Sequence, residues 1–506
     1  MKFGIFTNLS RKILRKERFS LAENRKFGLN KYTKPAICGL PTADELRAAL
    51  KAGESAEVRE QLAMLFDEAT FIEISAYAKR GFSDFIATEK SNEFESVVCG
   101  YGAIDGKLVF AFAEDSTRMG GVIDERHAKK IADLYNLATK NGAPVIGIFN
   151  SNGTDVFAGT AGLAAYGKIM ACVSHASGVI PQIAFVTGKC IGLSSAIAAM
   201  FDVIVKADSA ELYVGSPELT GVKNAQDMIV SYTAPTEQCA GYVRNVVSFL
   251  PSNSDMPINS DNASDNINRM LGELDFAGDA RSLISVVSDN GVFTELSADF
   301  APAAVTAFVT VAGVRCGIVA NAYSENDGRI DAPTARKIAR FVNLCDSFNL
   351  PVVTVVDSLG LALEKNNENN YFAAELAKLA HAYVTATVPK ITVINGHAIG
   401  ASFVLLGSKA LGADLVYATY SSEICALTAD SGVAFAWDKY ITLDKTREEL
   451  VSEWKNSVSS PARAAESGEI DDIISVNEMR ARICSALLML SEKGGNSLFG
   501  RKILPL

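Results

Sequence analysis

The chain is poor in the side chains that most often carry out chemistry. Its 506 residues hold only four histidines, and none has metal-ligand spacing. His127 is expected on a charged helix, His175 and His381 on helices near apolar faces, and His397 in a glycine-bearing turn. Nine cysteines are scattered, odd in number and without a C-x-x-C pair, which excludes a zinc ribbon and a disulfide framework and suits a reducing cytoplasm. Long apolar runs are missing too: His175, Gln182, Lys189 and Asp202 interrupt the first candidates and Arg315 a later one, so no transmembrane helix is expected. With a net charge of -10 and 21% charged residues, no basic groove for nucleic acid is implied.

One segment breaks the acidic balance. The first 34 residues carry ten Lys or Arg against Glu17 and Glu23, a local charge of +8 that leaves -18 on the rest. Arg11, Lys12, Arg15 and Lys16 interrupt any apolar run there, so the segment is not a secretory signal. Two readings remain open. The arm is either solvated and laid on the acidic body or a neighbouring subunit, or Phe3 to Lys16 is a basic amphipathic segment that touches an anionic membrane surface or a partner seated in one.

What the chain does have is repetition. Ala128, Lys130, Ile131 and Ala132 return about 207 residues later as Ala335, Lys337, Ile338 and Ala339, and Asp124, Asn136 and Leu137 return as Asp331, Asn343 and Leu344. Pro144, Ser151 and Gly153 keep the same offset to Pro351, Ser358 and Gly360. One residue of slippage then carries Pro181, Gly188 and Gly192 onto Pro389, Gly396 and Gly400. Such a register implies two tandem domains of about 200 residues, each large enough to bury its own core.

The local pattern predicts short helices over Thr42 to Ala52 and Glu57 to Phe66, and a hairpin of Val97 to Tyr101 with Lys107 to Ala113 turning at Ile104-Asp105-Gly106. Helix Glu125 to Asn141 should end at Gly142 and Pro144, followed by strand Val145 to Phe149, turn Asn150-Ser151-Asn152-Gly153 and a helix around Ala161 to Ala176. Strand Pro181 to Val186, turn Gly188 to Gly192, helix Ser194 to Met200 and strands at Val203 to Val205 and Leu212 to Val214 follow. Ser252 to Asn268, rich in Ser, Asn and Asp, reads as the linker, and Thr306 to Ala320 restarts the pattern. The second copy repeats strand Val352 to Val356, turn Asp357 to Gly360, helix Phe372 to Thr385, strand Lys390 to Ile394 and turn Gly396 to Gly400. Alternating strands and helices imply an α/β fold with parallel sheets covered by helices.

Gly188 to Ser194 and Gly396 to Ser402 run from a buried strand directly into a helix. Amides in the first turn of a helix have no intrahelical acceptor and sit at its positive end, a natural place for an oxyanion. Losing one such donor typically costs about 3 to 4 kcal/mol of transition-state stabilisation, so catalysis can rest on main-chain amides. Ser194, Ser195 and Ser402 stand where serine commonly caps a helix, and no base is in view to make any of them a nucleophile. Gly188-Lys189-Cys190-Ile191-Gly192 is no phosphate loop, because its lysine precedes the second glycine and no Lys-Ser or Lys-Thr pair follows.

These turns, together with Asn141-Gly142-Ala143-Pro144-Val145-Ile146-Gly147, Ala176-Ser177-Gly178-Val179-Ile180-Pro181, Ala339-Arg340-Phe341-Val342-Asn343-Leu344-Cys345, Arg463-Ala464-Ala465-Glu466 and the closing Ile503-Leu504-Pro505-Leu506, resemble the carboxyltransferase subunits of biotin-dependent acyl-CoA carboxylases and decarboxylases, of the propionyl-CoA carboxylase beta and methylmalonyl-CoA decarboxylase alpha type. The resemblance runs from about residue 60 to the C-terminus. It implies a basic arm and helices over 1–55, a crotonase-like acyl-CoA domain over 56–255 and a crotonase-like biotin domain over 269–506, built from ββα repeats.

It further implies CO2 transfer between carboxybiotin on a partner carrier protein and a short-chain acyl-CoA, at a site shared by the first domain of one subunit and the second of its neighbour. Expected partners are a biotin carboxyl carrier, a biotin carboxylase or membrane decarboxylase subunit, and further copies of the chain in a dimer or a trimer of dimers. The expected location is cytoplasmic, or peripheral to a membrane through such a complex. By position, one oxyanion hole maps to Gly192-Leu193-Ser194 and the other to Gly400-Ala401-Ser402, with Gly153, Gly360, Gly400 and Ala401 near the cofactors and no metal. The family usually has consecutive glycines where Leu193 and Ala401 stand, and Asp-Ser-Gly-Gly where Asn150 to Gly153 stands. A side chain at either hole could forbid a positive φ and crowd the thioester. That leaves two alternatives: a catalytically silent paralogue acting as a structural or regulatory subunit, and a hydratase without biotin that would need Glu368 or Glu375 as its carboxylates.

Overall fold

The computed structural model describes residues 42–53, 55–79, 94–155, 159–221, 229–257, 264–271, 279–369, 371–442 and 445–493. Expectations for Phe3 to Lys16 and for Ile503 to Leu506 fall outside them, as does part of the linker. The chain divides into a small unit, Met1–Glu54, and a main unit, Ser55–Leu506. In the small unit the described residues form helix Ala43–Ala52, started by a capping box between Thr42 and Glu45.

The main unit holds two eight-stranded sheets. The first is built from β1 (Ile72–Ile74), β2 (Val97–Ile104), β3 (Lys107–Glu114), β4 (Val145–Ser151), β5 (Gln182–Ile191), β6 (Val203–Ala207), β7 (Glu211–Tyr213) and β8 (Tyr232–Ala234). The second contains β9 (Phe293–Leu296), β10 (Ala304–Val311), β11 (Val314–Asn321), β12 (Val352–Ser358), β13 (Lys390–Ile399), β14 (Leu415–Thr419), β15 (Glu423–Cys425) and β16 (Asp472–Ile474). Strand order is β1-β2-β3-β4-β5-β6-β8 with β7 on β5, and β9-β10-β11-β12-β13-β14-β16 with β15 on β13. The sheets are mixed rather than parallel throughout. β1 to β3 and β9 to β11 pair antiparallel, with two-residue turns joining β2 to β3 and β10 to β11 that are too short for a crossover helix, and the remaining pairs are parallel.

Each sheet opens on the same device. In the hairpin β2–β3, Asp105 and Gly106 both take positive φ, 50° and 77°, as a type I′ turn requires, and Ala312 and Gly313 do the same at 54° and 79° between β10 and β11. An aspartate carboxylate accepts both turn amides: Asp67 from Asp105 at 3.1 Å and Gly106 at 3.0 Å, Asp289 from Ala312 at 3.0 Å and Gly313 at 2.8 Å. An arginine then holds each aspartate, Arg244 to Asp67 at 2.9 Å and Arg480 to Asp289 at 2.5 Å.

Helix Glu125–Asn141 starts at the N-cap Asp124 and stops at Gly142, whose φ of 59° is left-handed; Asp331 caps the corresponding helix Ala332–Ser347. Helices Thr160–Ala176 and Phe372–Thr385 lie close to their expected positions. The copies share buried apolar packing. Val243, Val246 and Val247 of helix Thr236–Phe249 belong to the same cluster as Phe308 and Phe341, Phe249 stacks on Phe308 at 4.9 Å, and an Arg340 guanidinium donates to the Phe201 carbonyl at 2.6 Å. Among the described residues no helix is long and apolar enough to cross a membrane.

Candidate active site

β5 and β13 do not stop where the sequence expects. Both continue through Gly188 and Gly396, so residues 188–191 and 396–399 are strand rather than turn. Register shifts between Phe149 and Ser151, and between Val356 and Ser358, let each strand bend away, and its last three residues gain a new partner in β7 or β15. The glycines at 188 and 396 admit a neighbour's side chain. A Cβ there would strike the amide of Asn150 or the carboxylate of Asp357, whose oxygens accept the N–H of Lys189 at 3.3 Å and of His397 at 2.9 Å.

The true turns are single residues, Gly192 and Gly400. Their backbones coincide: φ 60°, ψ −127° and φ 61°, ψ −129°, a conformation that only glycine adopts comfortably. Each donates its amide backwards, Gly192 to the Tyr213 carbonyl at 3.0 Å and Gly400 to that of Cys425 at 2.8 Å. The next residues, Leu193 and Ala401, open helices Leu193–Ala199 and Ala401–Leu405, and neither has a positive φ. The strain expected of side chains at 193 and 401 therefore falls on the preceding glycines. Leu193 is 46% exposed and stands at the mouth instead of filling the turn. First-turn amides at Leu193 and Ser194, and at Ala401 and Ser402, have no intrahelical acceptor.

The serines do not cap. Gly192 and Gly400 hold the N-cap positions without a side-chain bond, and the hydroxyls donate to carbonyls: Ser195 to Gly192 at 2.7 Å, Ser402 to Ile399 at 2.8 Å and to Ser358 at 3.2 Å. Ser194 is buried, with its hydroxyl 3.3 Å from that of Tyr166. Burial pushes the Tyr166 phenol up to about 12, so it stays protonated at neutral pH. Gly153 and Gly360 sit beside the turns with φ of 106° and 102°, but their amides are taken locally, by Ser151 Oγ at 3.0 Å and Ser358 Oγ at 3.2 Å. They shape the backbone without offering a free donor.

In front of the first turn lies an open cleft of about 390 Å³, with Gly153, Tyr166, Ile191, Leu193, Tyr213 and Val214 in its wall. Apart from the two tyrosines, none of the described residues in that wall is ionisable. Such a surface suits a short apolar acyl chain and a thioester carbonyl offered to amides. No group of described residues could hold a metal ion.

The other titratable groups are mostly supports. His127 is buried, with Nδ1 3.2 Å from Ser96 Oγ and Nε2 3.9 Å from Glu114 Oε1, whereas His175 and His381 are exposed rather than against apolar faces. Glu375 is buried between Arg336 at 3.3 Å and Lys378 at 2.9 Å. Burial raises its carboxyl, but those two hydrogen bonds outweigh it and hold it low, so it is engaged as an ion-pair anchor rather than as a hydratase base. Glu368 is exposed.

Glu114 accepts the Asn150 amide at 2.9 Å beneath the first turn, and burial pushes its carboxyl up to about 8. A folded-state pKa above the unfolded one means stability is lost as pH rises from about 4.5 to about 8. Glu114→Gln keeps an acceptor for Asn150 and removes that charge. It is expected to raise Tm by several degrees at pH 8.5 and to leave it nearly unchanged at pH 5, as followed by calorimetry; an equal gain at both would refute the ionisation account.

His397 is the histidine that reaches a site, although the sequence did not indicate its partners. Its Nδ1 lies 2.9 Å from Asp357 Oδ1, its Nε2 4.0 Å from Glu423 Oε1, and its ring stacks on Tyr323 with centroids 4.9 Å apart.

Comparisons with known proteins agree with this architecture. The family model described as the carboxyl transferase domain matches residues 50–233 and 223–502. Methylmalonyl-CoA decarboxylase subunit alpha of Veillonella parvula is 34% identical over 87% of this chain and 90% of that protein. The propionyl-CoA carboxylase beta chain of Saccharopolyspora erythraea is 32% identical over 86% of this chain and 87% of its own. A transcarboxylase 12S structure with methylmalonyl-coenzyme A and methylmalonic acid bound superposes with a TM-score of 0.84 at 29% identity, covering 91% of this chain and 98% of that one. A single-chain, multi-domain long-chain acyl-CoA carboxylase, 22% identical with a TM-score of 0.72, shares the fold. With two sheets that end in the same glycine turn and a family match along nearly the whole main unit, the chain belongs to the carboxyl transferase domain family of crotonase-like fold.

Proposed function

We propose that the chain is the carboxyltransferase subunit of a biotin-dependent acyl-CoA carboxylase or decarboxylase, moving CO2 between biotin on a partner carrier protein and a short-chain acyl-CoA. The observation that carries this reading is the pair of matched turns, with φ and ψ alike at Gly192 and Gly400. The first domain, 56–255, receives the acyl-CoA, and Leu193 and Ser194 offer amides to the thioester oxygen as negative charge develops there. The second domain, 269–506, receives biotin, with Ala401 and Ser402 facing the ureido oxygen. Bound biotin supplies the carboxyl carrier. Gly153 and Gly360 keep the backbone beside each turn open to the reactants.

Methylmalonyl-CoA is the substrate class best supported, because the first cleft is apolar and small and the relatives named above act on it or on propionyl-CoA. The working assembly pairs the first domain of one copy with the second of another, in the cytoplasm or at a membrane through a decarboxylase partner. The purified chain, incubated with free biotin and methylmalonyl-CoA, is expected to decarboxylate the thioester in a biotin-dependent manner. Ala401→Asp, which puts a carboxylate beside the second turn, is expected to abolish biotin use while methylmalonyl-CoA still binds. No turnover above background with methylmalonyl-CoA, malonyl-CoA and other acyl-CoAs would make the chain a silent scaffold.

A further inference from the structure

The matched turns are supported differently. In the first copy Lys189 precedes Gly192 by three residues and only its main chain is gripped, by Asn150. In the second copy His397 occupies that place, and its side chain joins the grip. We infer that His397 is a positioning residue for the biotin half-reaction, its ring clamping the end of β13 to Asp357 of β12 and, through Glu423 of β15, to Lys455 of helix Arg447–Ser457. The inference rests on the second turn being the biotin site.

The clamp acts where β13 has left β14 and bends towards Gly400. Its pairing with β14 ends at Ile394, so the stretch leading to Gly400 is held by three residues of β15 on one side and, on the other, by the Asp357 carboxylate and the pairing of Ala398 with Ser358 of β12. Small displacements of a donor matter, since the groups of a site must be held within about 0.5 Å of the productive geometry. Lys455 closes the chain of contacts at 2.6 Å from Glu423, on a helix fixed by Trp454, whose ring lies 4.9 Å from that of Trp437. The Ser459 carbonyl just beyond it accepts the Ile424 amide at 2.8 Å. The segment carrying that helix is thus tied to β15 at two points.

The groups facing the imidazole are Asp357 from β12, Glu423 from β15, Lys455 from the helix and Tyr323 from the segment after β11, with Asp327 and Arg329 beyond the tyrosine. The Asp357 hydrogen bond raises His397 above its ordinary value of 6.5 against the opposing effect of burial, Glu423 adds to the rise and Lys455 reduces it. The clamp is therefore complete at low pH; as pH rises through that raised pKa the ring loses its charge and one N–H, which leaves the Nδ1–H bond to Asp357 and releases the tie to Glu423.

The test measures kcat/KM for free biotin between pH 6 and 9 in the full chain, with methylmalonyl-CoA saturating. The wild type is expected to show an alkaline limb. His397→Asn should flatten it, with a value roughly tenfold below the wild-type acid plateau, and KM for methylmalonyl-CoA unchanged. Glu423→Gln should move the limb to lower pH and Lys455→Met to higher pH, opposite shifts that a general loss of structure would not produce. A wild-type limb retained in His397→Asn, or no movement in the other two, overturns the inference. If Ala401→Asp leaves biotin kinetics intact, the reading of the second turn fails; if it abolishes biotin use while His397→Asn behaves as wild type, only the role of His397 fails.

Discussion

Gly192→Ala is expected to lower kcat for biotin-dependent decarboxylation of methylmalonyl-CoA by about 100- to 1000-fold while the protein stays folded. Nothing lies within 4 Å of where the new Cβ would sit, so crowding cannot explain the loss. The backbone can. At φ 60° and ψ −127° an alanine is strained by about 1 to 3 kcal/mol, and the turn relieves it by rotating the peptide that carries the Leu193 amide. Gly400→Ala makes the same test in the second copy, where the added atom meets only the Ala426 carbonyl at 3.4 Å. There the fall should appear in kcat/KM for biotin. A change smaller than threefold in either variant, measured alongside an unchanged melt, would remove the amides from the chemistry.

The second large effect concerns folding. Arg480 is fully buried, 2.5 Å from Asp289 and 3.3 Å from Asp265, and Asp289 holds the β10–β11 turn. Arg480→Ala leaves the buried Asp289 carboxylate without its cation, while Asp265 keeps Arg269 at 2.9 Å, a loss of about 3 to 5 kcal/mol. By calorimetry, Tm of the transition that includes the second sheet should drop by about 10 °C. Arg244→Ala is the internal control. It breaks the equivalent contact to Asp67 in the first copy, where both side chains are partly solvated, so only a small shift is expected. Equal effects would mean that burial does not set the difference.

Much of the architecture could be read from the residues. Ile104-Asp105-Gly106 places the turn of the first hairpin, Gly142 closes its helix, and helix Phe372–Thr385 has the expected bounds. What could not be read depends on contacts between distant segments. Nothing local to Gly188-Lys189-Cys190-Ile191 announces a strand; its partner is Glu211–Tyr213, twenty residues on. Asp67 and Asp289 are ordinary acidic residues until their turns are in place. The grip of Asp357 on His397 spans 40 positions, so neither position alone signals it. At the turns, the glycines and their neighbours were legible, but the assignment of strain was not. It needed dihedral angles to show that 192 and 400 carry the positive φ while Leu193 and Ala401 are ordinary helix starts.

The most direct test of these paired amides is a crystal structure of the chain with a methylmalonyl-CoA analogue that cannot lose its carboxylate. The thioester oxygen is expected about 2.7 to 3.1 Å from the Leu193 nitrogen, with Gly192 keeping its positive φ. A thioester oxygen bound to a side chain such as Tyr166 or Tyr213, with the Leu193 amide left to solvent, would contradict it.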